Sequence, residues 1–108
     1  MKIQTLVDYF GMTDETLYDK QYSGTAEHDG LIFIRIYGKY GWQTSQSTTQ
    51  FIYTCQINDI VYHDSELSSP VIEVYPIYKG WPWSIAYKDA KNVFIKACDI
   101  SVNLLYTD

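Results

Sequence analysis

The chain has 108 residues, of which 46% are hydrophobic and 19% charged, and its formal net charge is −5. This length is that of one domain, residues 1–108, and this apolar content is typical of a globular protein rather than a disordered one. The negative charge argues against direct binding of nucleic acid, which needs a basic surface. The longest apolar run, the four residues LIFI, is too short to span a membrane, and the N-terminus lacks the pattern of a signal peptide, so a cytoplasmic protein is expected by default.

The first predicted element is a short helix over residues 2–10. Its apolar stripe consists of Ile3, Leu6, Val7 and Phe10, which recur at the spacing of one helical face. Gly11 follows as a natural C-terminal stop. A helix this short is unstable in water on its own, so we expect it to dock its stripe on the rest of the fold.

Apolar and alternating patterns predict strands further along the chain. They cover residues 31–38, 50–57, 71–78 and the segment from Cys98 onward. The first of these is apolar on both faces, which predicts a central strand covered on two sides. Pro76 cannot donate a ladder hydrogen bond, which predicts an edge position or a bulge. Residues 89–98 fit both a helical stripe and a strand, and Asn92 with the β-branched residues favours a strand after a turn.

These elements together predict an α+β fold, with the short N-terminal helix packed on a mostly antiparallel sheet of about five or six strands.

Motifs for chemistry are weak in this sequence. The only histidines, His28 and His63, lie in polar, turn-like segments, and Cys55 and Cys98 have the parity of buried free thiols. None of the four has the short ligand spacing of a structural zinc site. We therefore expect no enzymatic activity, no cofactor and no metal, although an acid–base pair of carboxylates stays open.

Aromatic residues are abundant, with eleven Tyr and three Trp. Such side chains dominate protein interfaces, and a core of this size buries so many of them poorly. The Gly-flanked aromatics of the loop over residues 38–49 suit either a recognition loop or a linker whose aromatics lean on the body of the protein.

Residues 75–84, YPIYKGWPWS, concentrate this aromatic surface. Tyr78 is expected on the face opposite to Tyr75, and Trp81 and Trp83 on opposite sides, so that one anchors in the fold and one is available to a partner. Pro82 argues against a regular central strand here. The candidate partner-binding residues are Tyr40, Trp42, Tyr78, Trp81, Trp83, Asp14, Glu15, Asp64 and Glu66.

The opening LVDYFGMTDETLY, followed by YSGTA, resembles the starts of short accessory proteins of bacteriophages and mobile elements of Gram-positive bacteria. The resemblance covers the first quarter of the chain. Such products include anti-CRISPR proteins and other inhibitors of host defence, which often occlude a basic nucleic-acid channel or lock a nuclease. The resemblance implies that possibility and carries over no functional residue.

The leading hypothesis is therefore a non-catalytic binding protein that inhibits a larger, basic, nucleic-acid-handling protein, such as a CRISPR effector or another defence nuclease. One alternative is a phage structural or assembly module that acts by self-association, which makes a homo-oligomer possible. Another is a small ligand-binding domain or enzyme with an aromatic pocket.

Overall fold

A computed structural model describes residues 1–12, 20–40, 50–68, 71–89 and 95–107. These ranges contain eight strands and no helix, and therefore no helix that is long and apolar enough to cross a membrane. The strands are β1 (Lys2–Met12), β2 (Lys20–Thr25), β3 (Gly30–Tyr40), β4 (Gln50–Ile57), β5 (Ile60–Ser68), β6 (Val71–Ile77), β7 (Pro82–Asp89) and β8 (Ile95–Tyr106).

The strands form two antiparallel sheets of four. Sheet A has the order β1-β8-β3-β6, and sheet B has the order β2-β7-β4-β5. Consecutive strands alternate between the sheets, except that β4 and β5 form a hairpin within sheet B. Eight strands in this order form a jelly roll, in which two Greek keys are wound into a sandwich.

One core lies between the two sheets, and every second residue of the strands points into it. In β3, Ile32, Ile34 and Ile36 are buried. Sheet B contributes Tyr53, Cys55, Ile57, Trp83 and Ile85, and the same buried cluster includes Ile100, Val102 and Leu104 of β8. The predicted strand over residues 50–57 is confirmed as β4, and the edge position predicted from Pro76 is confirmed for β6.

The predicted N-terminal helix is wrong, and with it the α+β fold, because residues 2–12 form the edge strand β1. A register shift between Thr5 and Val7 interrupts the alternation, leaving Ile3 exposed and Val7 buried. This bulge imitates the spacing of a helical stripe. Pairing with β8 along the whole length of β1 supplies the hydrogen bonds that so short a helix could not hold in water.

The sequence patterns do not predict three of the strands, namely β2, β5 and β7. The expected number of about five or six strands in one sheet is therefore also wrong. The expectation that Pro82 excludes a central strand fails for a specific reason. Pro82 is the first residue of β7, where a missing donor is tolerated, and β7 lies between β2 and β4.

The sequence predicts that β3 is a central strand and that it is covered on both faces, and only the central position is confirmed. β3 is central, between β8 and β6, and its inner residues are buried. On its outer side Leu31 and Arg35 are exposed and Phe33 is half-buried. The apolar side chains of Leu31 and Phe33 on this central strand are therefore not fully covered.

Candidate protein-interaction surfaces

One end of the sandwich is held together by hydrogen bonds between its connections. The Ala26 amide donates to the Trp81 carbonyl over 2.9 Å, and the Gly80 amide donates to the Ala26 carbonyl over 2.9 Å. The Lys79 amide donates to Asp29 Oδ1 over 2.7 Å. These bonds tie the β2–β3 connection to the β6–β7 turn, so neither is a free loop.

Tyr78 and Trp81 are the aromatic pair of this turn. Their ring centroids lie 4.9 Å apart in an edge-to-face arrangement, with 75° between the planes. The Trp81 amide donates to the Tyr78 carbonyl over 3.0 Å, and Gly80 has a φ of +88°, which a side chain would strain. Trp81 packs partly against the core, whereas Tyr78 is 55% exposed.

A second aromatic pair lies at the same end, where β1 begins and β8 ends. The rings of His28 and Tyr106 stack with their centroids 3.9 Å apart and 2° between their planes. Lys2 Nζ lies 6.0 Å from the centroid of the Tyr106 ring. We call the surface formed by Tyr78, Trp81, His28 and Tyr106 the aromatic end.

The outer side of sheet A carries a contiguous apolar surface, which follows from the strand register. Residues that pair across strands share a face. The first row across all four strands is Ile3, Leu105, Leu31 and Pro76. The second row is Thr5, Asn103, Phe33 and Val74, and the third is Asp8, Ser101, Arg35 and Ile72. We call the three rows together the apolar face, after the seven apolar residues among them.

The outer side of sheet B is different in chemistry. Its described side chains include the polar, uncharged residues Ser23, Thr25, Thr54, Gln56 and Ser84. A shallow groove of about 400 Å³ lies here, lined by residues of β2 and β7 and by the end of β4. The Trp83 ring lies beneath it and is 5% exposed, so it offers no stacking platform to a ligand.

Titratable side chains gather where the two sheets meet along β5 and β6. His63 Nε2 contacts Glu73 Oε2 between these two edge strands. The rings of Tyr62 and Tyr75 stack beside this contact at 3.9 Å. The Tyr53 ring lies 5.2 Å from the His63 ring on the core side. The expectation that His63 sits in an exposed turn is wrong, because it belongs to β5 and is partly buried.

Burial dominates the proton affinities in this cluster. It raises the pKa of Tyr53 far above its ordinary value, with smaller increases from Cys55 and Glu73. It raises the pKa of Tyr75 in the same direction, helped by Glu73. Burial also raises the pKa of the Cys55 thiol to about 11, although the Tyr53 hydroxyl opposes the shift.

These shifts keep the Cys55 thiol and the hydroxyl groups of Tyr53 and Tyr75 protonated at neutral pH. A thiol that keeps its proton is a weak nucleophile, and Cys55 is a buried free cysteine as the sequence predicted. Within the described residues, no group of three or more His, Cys, Asp and Glu side chains could hold a metal ion. The His63–Glu73 contact instead joins the open edges of the two sheets.

The predicted partner-binding residues are placed as follows. Tyr78 and Trp81 meet at the aromatic end, whereas Trp83 is a core residue. Tyr40, Asp64 and Glu66 belong to β3 and β5, but their side chains lie outside the described part of the structure, and Trp42, Asp14 and Glu15 lie outside the described residues altogether.

Sequence reasoning missed the apolar face and the His63–Glu73 contact. The sequence does contain a signal for the apolar face. The segment LIFIRIYG is apolar on both faces, so burying only one leaves the other exposed, and Ile72, Val74 and Pro76 alternate in the same way. No local signal marks the second, since its two partners are ten residues apart on different sheets.

Comparison with known proteins adds no assignment to this geometry. No protein-family model matches the chain, and neither a curated protein nor a solved structure is significantly similar to it. A jelly roll hosts many unrelated functions, so the fold alone indicates none of them.

Proposed function

We propose that the chain is a non-catalytic binding protein that acts by contact with another protein, and that the aromatic end is its contact surface. The observation that carries this proposal is the exposed Tyr78 ring, held against Trp81 in a hydrogen-bonded turn. A tyrosine fixed in this way offers contact area while little conformational entropy remains to be lost on binding.

The net charge of −5 supports a basic partner. Exposed residues of both signs lie at the aromatic end itself, among them Asp29 and Lys79 in the two connections that form it. The attraction therefore comes from the field of the whole chain, which steers association more than it strengthens the final contact. A nucleic-acid-handling protein, such as a bacterial defence nuclease inhibited by occlusion, fits this description.

Affinity capture from a bacterial lysate with the chain as bait tests this function, with Tyr78→Ser as the test variant. Ile60→Ala is the matched control, because Ile60 is also an exposed large side chain, 44% accessible, at the start of β5 and not among the residues of the aromatic end. We expect the wild type and the control to retain the same basic, nucleic-acid-binding protein at low salt, and to release it as salt rises. We expect Tyr78→Ser to retain at least about tenfold less of it, as for an interface hot spot. Equal capture by Tyr78→Ser, or no such protein at low salt, would contradict the proposal.

A further inference from the structure

We propose that the apolar face binds the same face of a second copy, giving a two-fold symmetric dimer of packed sheets. The observation behind it is the concentration of exposed apolar side chains on this one surface. Ile3 is 66% exposed, Leu31 40%, Ile72 62% and Val74 45%. Contiguous exposed apolar surface of this kind is characteristic of interaction sites.

The face forms the centre of a surface that approaches the size such a dimer needs. Strands lie about 4.8 Å apart and rise about 3.4 Å per residue, so the three rows cover about 19 by 17 Å. Three of the four strands of sheet A are 11 or 12 residues long. The sheet therefore continues to a length of about 37 Å, and its outer surface approaches the roughly 800 Å² per partner of a standard interface.

The order of the rows selects the direction of the two-fold axis. An axis parallel to the strands places each row on the same row of the second copy, with β1 over β6 and β8 over β3. The apolar first row then meets itself, with Ile3 near Pro76 and Leu31 near Leu105. An axis perpendicular to the strands would set this first row against the third row and leave both Asp8 and Arg35 opposite apolar side chains. The parallel axis leaves only Asp8 so placed, opposite Ile72, whereas Arg35 faces Ser101.

Charge complementarity favours the same arrangement. Asp8 and Arg35 are both exposed in the third row and lie two strands apart, separated by Ser101. In the parallel arrangement, Asp8 of one copy lies one strand, about 4.8 Å, to the side of Arg35 of the other. The dimer therefore has two equivalent Asp8–Arg35 pairs at the border of its apolar centre.

A second copy is a better occupant than an unrelated protein because the face complements itself. The described outer side of sheet B carries hydroxyl and amide groups that can stay in water, and the apolar face has more exposed apolar side chains than that side has. Sheets packed with nearly aligned strands are an ordinary protein arrangement. The inference is independent of the proposed function, and the dimer would present both aromatic ends on the same side.

Sedimentation velocity over a range of concentrations tests the proposal on the full chain. Leu31→Asp lies beside the two-fold axis, where it sets a carboxylate against the apolar Leu105 of the second copy and one strand away from the second introduced carboxylate, so we expect the dissociation constant to rise at least about 100-fold. Val61→Asp is the matched control, because Val61 is 54% exposed on the outer side of sheet B, and it should leave the dimer intact. Circular dichroism of each variant verifies that it is folded.

A charge-reversal series keeps the proposal falsifiable if Leu31→Asp does not fold. Asp8→Arg sets like charges against Arg35 of the second copy and should weaken the dimer at least about tenfold. The double variant Asp8→Arg, Arg35→Asp should restore it, because both pairs are re-formed with their signs exchanged. The proposal is overturned if the wild type stays monomeric at millimolar concentration or forms species larger than a dimer. It is also overturned if the double variant is no tighter than Asp8→Arg, or if Val61→Asp alone disrupts the dimer.

Discussion

At the scale of single residues, the close approach of the Trp83 ring to the backbone explains why a glycine stands at position 24. A Cβ atom added at Gly24 would lie 2.9 Å from Cζ2 of the Trp83 ring, closer than real side chains come. We expect Gly24→Ala to lower the free energy of unfolding by about 1–3 kcal/mol, as overpacking does. The neighbouring and exposed Ser23→Ala should change it by less than about 0.5 kcal/mol.

Urea denaturation of both variants measures these changes. Replacing a glycine by alanine stabilises a protein by about 0.4–1 kcal/mol where the backbone and the space allow it. A stabilised Gly24→Ala would therefore show that the Trp83 ring does not lie where the structure places it.

Because the pKa of the Cys55 thiol is raised in the fold, we predict that the free energy of unfolding falls as the pH becomes alkaline. Its pKa is raised from 9.0 to about 11 in the fold, so folding favours the protonated thiol. This contribution is fully present below about pH 9 and is lost as the pH rises towards 11, because the unfolded chain releases the proton first. The raised pKa values of Tyr53 and Tyr75 act in the same direction above pH 10.

Denaturation under reducing conditions at pH 9 and 10 isolates the contribution of Cys55. We expect the unfolding free energy of the wild type to fall across this interval, and that of Cys55→Ala to fall less. Equal slopes would mean that the thiol is not buried in a protonated state.

At the scale of elements, the contact between His63 and Glu73 joins the two open edges β5 and β6. Both side chains are partly buried, and Glu73 Oε1 has no hydrogen-bond partner in the described structure. His63→Phe would leave the carboxylate without its imidazole, and we expect a loss of about 1–3 kcal/mol in stability. In the double variant with Glu73→Leu, the loss should be smaller than the sum of the two single losses by at least about 0.5 kcal/mol.

A thermodynamic cycle of the four proteins, measured by chemical denaturation, provides the coupling energy. Strictly additive losses would mean that the two side chains contribute to stability separately and that their contact does not couple the two edges.

Elements also show how far local patterns predict this fold. The strict alternation of residues 50–57 gives β4 with the bounds that the structure has, and Pro76 gives the edge position of β6. The N-terminal segment misleads because the bulge at Thr5 and Val7 shifts the alternation by one residue. β2 and β7 pair residues that are about 60 positions apart, and such long-range pairing leaves no local signal.

At the scale of the whole molecule, the two sides of the sandwich differ in what they expose. Among its described residues, the outer side of sheet B has polar, uncharged side chains on β2, β4 and β7, whereas sheet A presents the apolar face. The sequence predicts part of the aromatic end, namely that Tyr78 lies on the face opposite to Tyr75 and that one tryptophan anchors in the core. The sequence could not show which tryptophan, because that depends on the pairing of Trp83 with Ile57 and Gly24.

The central claim is that the apolar face pairs with itself across a two-fold axis parallel to the strands. Isotope-filtered nuclear Overhauser spectroscopy on a mixture of labelled and unlabelled protein tests it most directly, because the signals arise only between copies. The account predicts contacts from the Ile3 methyl groups to Pro76 and from the Leu31 methyl groups to Leu105 of the second copy. Contacts between copies that come from Val61 and the outer side of sheet B, or none at all at millimolar concentration, would contradict it.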